Sequence, residues 1–529
     1  MPAIASEFLK GLAVNGIRFE PALGSEPGNL TGHQTSSSGT IFPAATGQVR
    51  YLVSLATATG TPLYPVSRGL NWGYGSRCAP RSGAVAVDLS ALSEIKLMEG
   101  QPVAVVGPGV TQQMLYEHLQ AHAPQWTFNV TGSGRDTSLI GNALDRGVGY
   151  LGPRREDLFG LEIVTGTGEV LHTGFRRLGE SSPLAHAHPY GLGPMLDGLF
   201  FQGNFGIVTS ACFRLQPRRP CEVALSLTLK DPARLSEFID VLAALKREKI
   251  ISSVTHIGNR ARTHASLAAG AARYLMDRCH MPREAAIREA GQCLQIVSPS
   301  EWASLGGASG SKAEVRARVR EARARTRHLA GLRVVSSGLL DAGFGVMDKL
   351  RGLRWARAQA AAIAGVRPLH GLALGIPTDA PIENLLFKFD AEHLPASRLD
   401  ESPCGLLFIN PALPLNGREA VPIVQESERI ARVAGFELYM TLNIETDTSL
   451  VGVFNLLFDR RDAEQTRRAH QCADDMLAFF QRVGIQPYRA RADMMSSIVD
   501  ANDPYWQTVR RLKEVFDPQD IIAPGRYNL

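Results

Sequence analysis

Apolar positions along this chain follow two rhythms. From about residue 45 to 217, short apolar runs of strand length alternate with glycine-rich stretches. Helical spacing over 48–58 leads into a strand at 62–66, and further strands are expected at 84–88, 95–98 and 103–107. Thr111 is read as the N-cap of a helix running to about residue 121. The runs 161–165 and 170–173 predict a hairpin about Gly166, Thr167 and Gly168, and a strand opening at 205–208 ends near Pro217. Ahead of these, 1–30 reads as a helix with an irregular arm and 31–41 as a polar loop. After Arg218, Arg219 and Pro220 the rhythm changes. A strand at 222–229 is followed by helices near 231–247, 311–330, 345–363, 419–434 and 462–483, with strands near 405–410, 437–443 and 450–458. The segment 516–526 reads as a structured terminus, and no repeat of fixed period is found.

Composition narrows the class of protein. A chain of 529 residues predicts two or three domains with a sizeable core. Net charge is +5 without a basic tail; the densest basic run, 316–327, lacks interleaved aromatics and reads as a solvated helix face, which argues against a nucleic-acid partner. The seven cysteines are widely spaced without a Cys-x-x-Cys pair, which argues against a disulfide framework and a structural metal. The start, MPAIASEFLKGL, lacks the features of a secretory leader, and no stretch has the length of a membrane span. The expectation is a reduced, soluble, cytoplasmic protein with no metal.

Candidate chemistry begins at 64–88, where a strand gives way to Ser67-Arg68-Gly69, Asn71 and Gly73-Tyr74-Gly75-Ser76 before a second apolar strand. Such a loop permits close approach of backbone to ligand, and its N–H groups can form an anion-binding concavity. The plain alternative is a hairpin-like connection with ordinary turn residues. A second stretch runs from Thr131-Gly132-Ser133-Gly134 to Gly141-Asn142-Ala143-Leu144-Asp145-Arg146-Gly147-Val148-Gly149-Tyr150. The Rossmann fingerprint, the Walker A loop, His-Glu-x-x-His and Gly-x-Ser-x-Gly are all missing, which argues against the usual nicotinamide, ATP, zinc-protease and serine-hydrolase chemistries.

Four motifs in order resemble the vanillyl-alcohol oxidase / p-cresol methylhydroxylase flavoproteins. They are Pro65 to Gly75; Gly141 to Tyr150; Asp197-Gly198-Leu199-Phe200 with Asn204-x-Gly206-Ile207-Val208-Thr209; and Asp517-Pro518 with Ile522-Ala523-Pro524-Gly525. The resemblance implies an α+β protein: a PCMH-type FAD-binding domain of 1–217 completed by 490–529, and a cap domain of 218–489 with an antiparallel sheet flanked by helices. It implies FAD held by Pro65, Ser67, Arg68, Gly69, Asn71, Gly73, Gly75 and Ser76. From the second stretch come Ser133, Gly141, Asn142, Gly147, Gly149 and Tyr150, and from further on Gly206, Ile207, Val208 and Arg526. Both glycine loops would offer N–H groups to the pyrophosphate. A homodimer, and a cytochrome, another carrier or oxygen as electron acceptor, follow from the same resemblance.

Matching by motif puts Tyr74, Tyr488 and Arg489 where phenol-using relatives bind substrate as phenolate. A free phenol ionises near pH 10, so a fixed guanidinium and two hydroxyl donors are needed to favour the anion. The expected reaction is oxidation of a para-alkyl or para-hydroxyalkyl phenol, hydride passing to flavin N5 and leaving a p-quinone methide that takes up water or loses a proton. Taken singly, Tyr74 also reads as a loop aromatic, and Tyr488 with Arg489 as a strand-end pair holding domains together. Two departures stand out. Leu406 occupies the position of the covalent attachment residue, so FAD is expected to be non-covalent, with Cys404 the alternative if the register shifts by two. Ser133 and Val451 replace an acid and a histidine of relatives, leaving Glu445 as the candidate base. His172, His186 and His188 are read as structural. The competing functions are an FAD oxidoreductase acting on a non-phenolic alcohol or hydroxy acid, and a flavin-binding protein without redox turnover.

Overall fold

The structure is a computed structural model, described here for residues 5–22 and 28–528. The N-terminal helix is Ser6–Val14, and the part of the expected arm at 23–27 lies outside the described residues. A four-stranded sheet follows, in the order Arg18–Pro21, Gly39–Phe42, Val85–Asp88, Leu63–Val66. Leu63–Val66 and Val85–Asp88 pair in parallel. The glycine loop between them is therefore part of a crossover, and the hairpin-like alternative is excluded, because a hairpin joins antiparallel strands. The chain's end belongs to the same sheet: Ile522 bridges Leu63 in parallel, and Leu63 N–H donates to Ile521 O.

A second, antiparallel sheet runs Ile95–Leu97, Val103–Val106, Gly206–Arg214, Leu158–Thr165, Val170–His172, the last two being the expected hairpin. The predicted cap is present: the Thr111 hydroxyl accepts from Met114 N–H at the start of Gln112–His122. The C-terminal helix Pro504–Phe516 closes on this layer through Phe516, which packs edge-on to Phe200. Buried Lys513 is held by Asp517 and by the carbonyls of Asn204 and Ile522.

The remaining sheet has eight strands and is antiparallel throughout. Edge to edge it runs Ala330–Val335, Cys221–Leu229, Trp302–Gly310, Thr255–Asn259, Tyr439–Ile444, Ser449–Asp459, Cys404–Pro414, Pro487–Arg489. Read inward from either edge, the order within each half is fourth, first, third, second. Helices Leu235–Arg247 and Gly417–Val433 each follow a first strand, and Lys312–Thr326 and Ala463–Arg482 each follow a third. The same layout thus occurs twice, although the sequence shows no fixed period. The halves differ in what joins their second and third strands: two helices, Arg260–Cys279 and Arg283–Val297, in the first, but a turn over 445–448 in the second. That unequal insertion hides the repeat.

Strand alternation assigns the faces of this sheet. Ile257, Met440, Leu442, Phe454, Leu456 and Leu407 point into the large core with the four crossing helices. Their neighbours His256, Asn443, Val453, Asn455, Phe408 and Asn410 face a cavity. Helices Arg260–Cys279, Arg283–Val297, Arg354–Ala373 and Ala380–Lys388 contribute to the roof of that cavity. Two roof helices touch where a Cβ on Gly270 would come within 2.7 Å of Gly365 Cα, so small residues set their approach.

Several expectations are corrected. The helix expected at 345–363 is two, Ser337–Lys349 and Arg354–Ala373, broken at 350–353. The helix expected at 311–330 ends at Thr326, and Ala330 opens an unforeseen edge strand. The helices 260–279, 283–297 and 380–388 were not foreseen. In the first two the buried face is rich in alanine, at Ala269, Ala271, Ala272, Ala286 and Ala290, which gives little amphipathic contrast. In the basic run, Arg316, Arg320 and Arg323 are exposed while Val315 and Ala322 are buried, as a solvated helix face requires.

Candidate active site

The cavity has a volume of about 1150 Å³ and lies between the glycine loops, the polar face of the eight-stranded sheet and the roof helices. This exceeds the roughly 300–1,000 Å³ of an ordinary small-molecule pocket and suits a dinucleotide together with a substrate. From the first loop, Pro65, Ser67, Arg68, Gly69, Asn71 and Ser76 line it. From the second stretch come Ser133, Gly141, Asn142, Gly147, Gly149 and Tyr150, and from further along Gly206, Ile207, Val208 and Arg526. Gly73 and Gly75 do not line it. Both have positive φ, +73° and +115°; a Cβ on Gly73 would strike Phe408, and one on Gly75 would lie 2.8 Å from Ala492 Cβ. These two glycines serve a sharp turn and close packing beneath the sheet.

The two loops differ in what they offer a phosphate. The N–H groups of Ser67 through Asn71 have no acceptor among the described residues. In the second stretch the N–H groups are used internally: Gly147 donates to Asn142 O, Gly149 to Gly152 O, and Tyr150 to Val130 O. There the glycines provide space, since a Cβ on Gly141 would come within 2.7 Å of Ser67 Oγ. An open run of N–H groups at the end of a parallel strand fits a pyrophosphate, so the residues present fit FAD.

Next to this cradle lies a cluster of charge. Asp145 carries both Arg489 and Arg526, the latter at 2.6 Å, and Arg526 also donates to Tyr64 Oη at 3.1 Å. Arg489 is further bonded to Asn71 Oδ1, and its guanidinium stacks 3.9 Å above the Tyr74 ring. Two guanidiniums around one carboxylate leave a net positive charge, and Arg489 Nε has no acceptor among the described residues. Burial works against the charge of Arg489, but Asp145 and Tyr74 hold its pKa above the ordinary value. The Tyr74 oxygen accepts from Asn410 Nδ2 at 2.5 Å, so its own proton is free to be donated elsewhere. Burial pushes Tyr74 up to about 12, so the hydroxyl stays protonated at neutral pH. Tyr488, also raised by burial, donates instead to Arg146 O at 2.9 Å. Tyr74 and Arg489 are thus directly together, whereas Tyr488 lines the same cavity with its proton already placed.

Glu445 follows the strand Tyr439–Ile444 and is 3% exposed. Its Oε1 has no partner among the described residues, and burial, with the charge of Glu156, raises its pKa to about 8. It lies within electrostatic reach of both Tyr74 and Tyr488. Ser133 lines the cavity with its hydroxyl bonded to Thr131 Oγ1 at 2.5 Å; Leu406 and Val451 line it as apolar side chains. Cys404 does not line the cavity: it is fully buried, and burial raises its pKa well above the usual thiol range. His172 and His186 are bound to Glu162 and Glu180, and His188 packs on Phe175, all away from the cavity. Sequence reasoning missed Asp145, Asn410, His256, Asn443 and Arg262; the first lay inside a quoted motif, and the others are made neighbours only by the sheet.

The fold and this cavity define a flavin-binding class, and comparison with known proteins agrees. The FAD binding domain family matches residues 37–174. The chain is 28% identical over 516 residues to a 1'-carboxy-chondrochloren decarboxylase of Chondromyces crocatus, covering 92% of this chain and 90% of that protein. It is 25% identical over 484 residues to the 4-cresol dehydrogenase [hydroxylating] flavoprotein subunit of Pseudomonas putida, covering 90% and 85%. Among solved structures, p-cresol methylhydroxylase with substrate bound superposes with a TM-score of 0.78 at 21% identity, covering 99% of this chain and 96% of that one. The 4-ethylphenol oxidase of Gulosibacter chungangensis, in an isoeugenol complex, gives 0.81 at 22% identity with the same coverage. The chain is an FAD-dependent oxidoreductase with the p-cresol methylhydroxylase fold, and the resemblance carried by its motifs is borne out.

Proposed function

We propose that this chain oxidises a para-alkyl or para-hydroxyalkyl phenol held as phenolate at the Tyr74–Arg489 end of the cavity. The observation that carries the reading is the net positive Arg489–Asp145–Arg526 cluster, with Arg489 Nε unpaired beside a Tyr74 hydroxyl whose proton is free. A phenolate there would accept from both groups. Tyr488 joins them by giving up its bond to the Arg146 carbonyl. Bound FAD supplies the hydride acceptor; we propose that it is non-covalent, because Leu406 offers no atom for a bond. Ser67 to Asn71 would hold its pyrophosphate. Glu445 holds its proton at neutral pH and becomes a carboxylate, able to take a proton from water, as pH rises through about 8. The division of labour follows: 1–217 with 490–529 carry FAD, and 218–489 shape the substrate site. A cytochrome, another carrier or oxygen as acceptor, and a homodimer, complete the proposal.

The test uses purified holoprotein. Acid precipitation should leave the flavin in solution, and flavin retained in the pellet would refute the non-covalent claim. Anaerobic addition of 4-alkylphenols should bleach the flavin band near roughly 450 nm. Arg489→Ala should slow that bleaching by about 100-fold or more, and an unchanged rate would end the phenolate reading. Alcohol, alkene and CO2 should be measured together, because one relative is named a decarboxylase.

A further inference from the structure

The cavity holds a cation for which the phenol reading has no use. Arg262 stands in the first turn of helix Arg260–Cys279 and lines the cavity. Its stem lies over the sheet: a Cβ on Gly258 would be 3.9 Å from Arg262 Cγ. Its guanidinium makes no hydrogen bond and no ion pair with any described residue; its bonds run through backbone, N–H to Asn259 Oδ1 and O from Ser266 Oγ. Of the other cavity arginines, Arg489 and Arg526 sit on Asp145, Arg283 on Asp390 and Glu392, and Arg260 on Pro299 O, while Arg68 and Arg146 stand on the two glycine loops beside the proposed FAD cradle, Arg146 Nε also without a partner among the described residues. Enclosure lowers the Arg262 pKa, and no acidic group opposes the shift. The titratable neighbour on the sheet, His256, is held on Asn443 at 2.7 Å; burial, with Arg262 adding to it, keeps its pKa low, so it brings no negative charge. Arg262 is half-buried and faces the cavity, so its donors are left to water or to a ligand, and an anion that displaces that water gains a charge-assisted pair.

We propose that Arg262 is an anion subsite and that the substrate carries a carboxylate at the far end of its para chain. This rests on the phenol reading for the opposite end. The planar guanidinium fork matches a carboxylate in two parallel hydrogen bonds. The sheet supplies a ruler. Thr441 pairs with both Gly258 and Val453, on neighbouring strands, and the next strand carries Asn410, which holds Tyr74. Three strand spacings amount to roughly 14 Å. The Arg262 stem lies over Gly258, so anion and phenol oxygen stand on the order of 10–14 Å apart. The phenol ring and its oxygen take up roughly 6 Å of this, and a chain advances about 1.3 Å per bond, leaving about three to six chain atoms.

Calorimetric titration of the holoprotein with ω-(4-hydroxyphenyl)alkanoates from acetate to octanoate, each beside its primary amide, tests this. The acid should bind about 10-fold or more tighter than the amide at intermediate chain length, with the preference fading at both ends of the series. Arg262→Gln should bring the acid-to-amide ratio near one, and Arg262→Lys should retain part of it. Acid and amide binding alike in the parent, or a preference unchanged in Arg262→Gln, would overturn the proposal. So would a phosphonate analogue binding more tightly than the carboxylate through the same arginine. Phenylalkanoates without the hydroxyl keep the two readings separable: an acid preference among them, with no bleaching by 4-propylphenol, would sink the phenol reading and leave the anion subsite standing.

Discussion

At one end of the cavity, Asp145 lies between Arg489 and Arg526, with Asn71 and Tyr64 completing the set. Elsewhere in the cavity, Glu445 Oε1, within reach of Tyr74 and Tyr488, and the Arg262 guanidinium, beside His256, have no hydrogen-bonding partner among the described residues, and Asn455 Oδ1 is also without a donor. Both groups face one cavity; the paired charges and Glu445 are largely withdrawn from water, whereas Arg262 is half-buried. Where partners are built in, the charges belong to the framework; where they are missing, the protein carries a cost that a ligand can relieve. The paired end joins segments far apart in sequence, 64–71, 145, 489 and 526, which is what a framework contact does. The unpaired groups lie on the sheet face and its roof.

The largest effect is expected where the charges are paired. Asp145→Ala leaves two buried guanidiniums without their carboxylate and should cost about 3–5 kcal/mol, read by denaturant unfolding, together with weakened FAD retention. A loss under about 1 kcal/mol would match an exposed pair instead, and the contrast between the ends would fail.

A pH-dependent effect comes next, at an unpaired group. An unfolded glutamate ionises near 4.5, whereas Glu445 is raised to about 8 by burial first and Glu156 second. Between these values the native state keeps a proton that the unfolded state has released, so the contribution of Glu445 to stability falls as pH rises. Glu445→Gln lacks this penalty. Its melting temperature should match the parent near pH 5 and exceed it by several degrees at pH 9. If Glu445 is the base, the variant should also lose the rise in alcohol product through about pH 8. Parallel melting curves at every pH would mean that Glu445 has a partner in solution.

The smallest effect is expected outside the cavity. Glu162 is held down to about 2, chiefly by His172, with Thr209, Arg176 and Thr46 adding to it against burial. That stability is present above about 4.5 and is lost as pH falls towards about 2. The His172 side chain is 32% exposed, so His172→Ala should cost under about 1 kcal/mol. Flavin bleaching by a 4-alkylphenol should not change. A slowed rate would show that this hairpin reports on the site.

Much of the framework was legible in the sequence. The strands on either side of the first glycine loop, the Thr111 cap, the 161–173 hairpin and the structured terminus are local features, written in apolar period, cap chemistry and turn residues. Polar and apolar alternation along 437–443 and 450–458 already held the two faces of the eight-stranded sheet. The helices 260–279 and 283–297 were hidden because alanine packs on several sides and leaves weak periodicity.

The sequence by itself determined that a glycine loop at 67–76 follows a strand, and it singled out Tyr74, Tyr488 and Arg489 as candidates to meet a phenol and Leu406 at the expected attachment position. Only the tertiary structure decided which loop keeps its N–H groups free, that Arg489 and Arg526 share Asp145, that Glu445 is buried with Oε1 unpartnered, and that Arg262 faces the cavity. The reason is physical. Cap, turn and period are short-range, whereas Arg526 meets Asp145 across 381 positions, and a side chain's pKa depends on the water and charges that remain around it after the chain has closed.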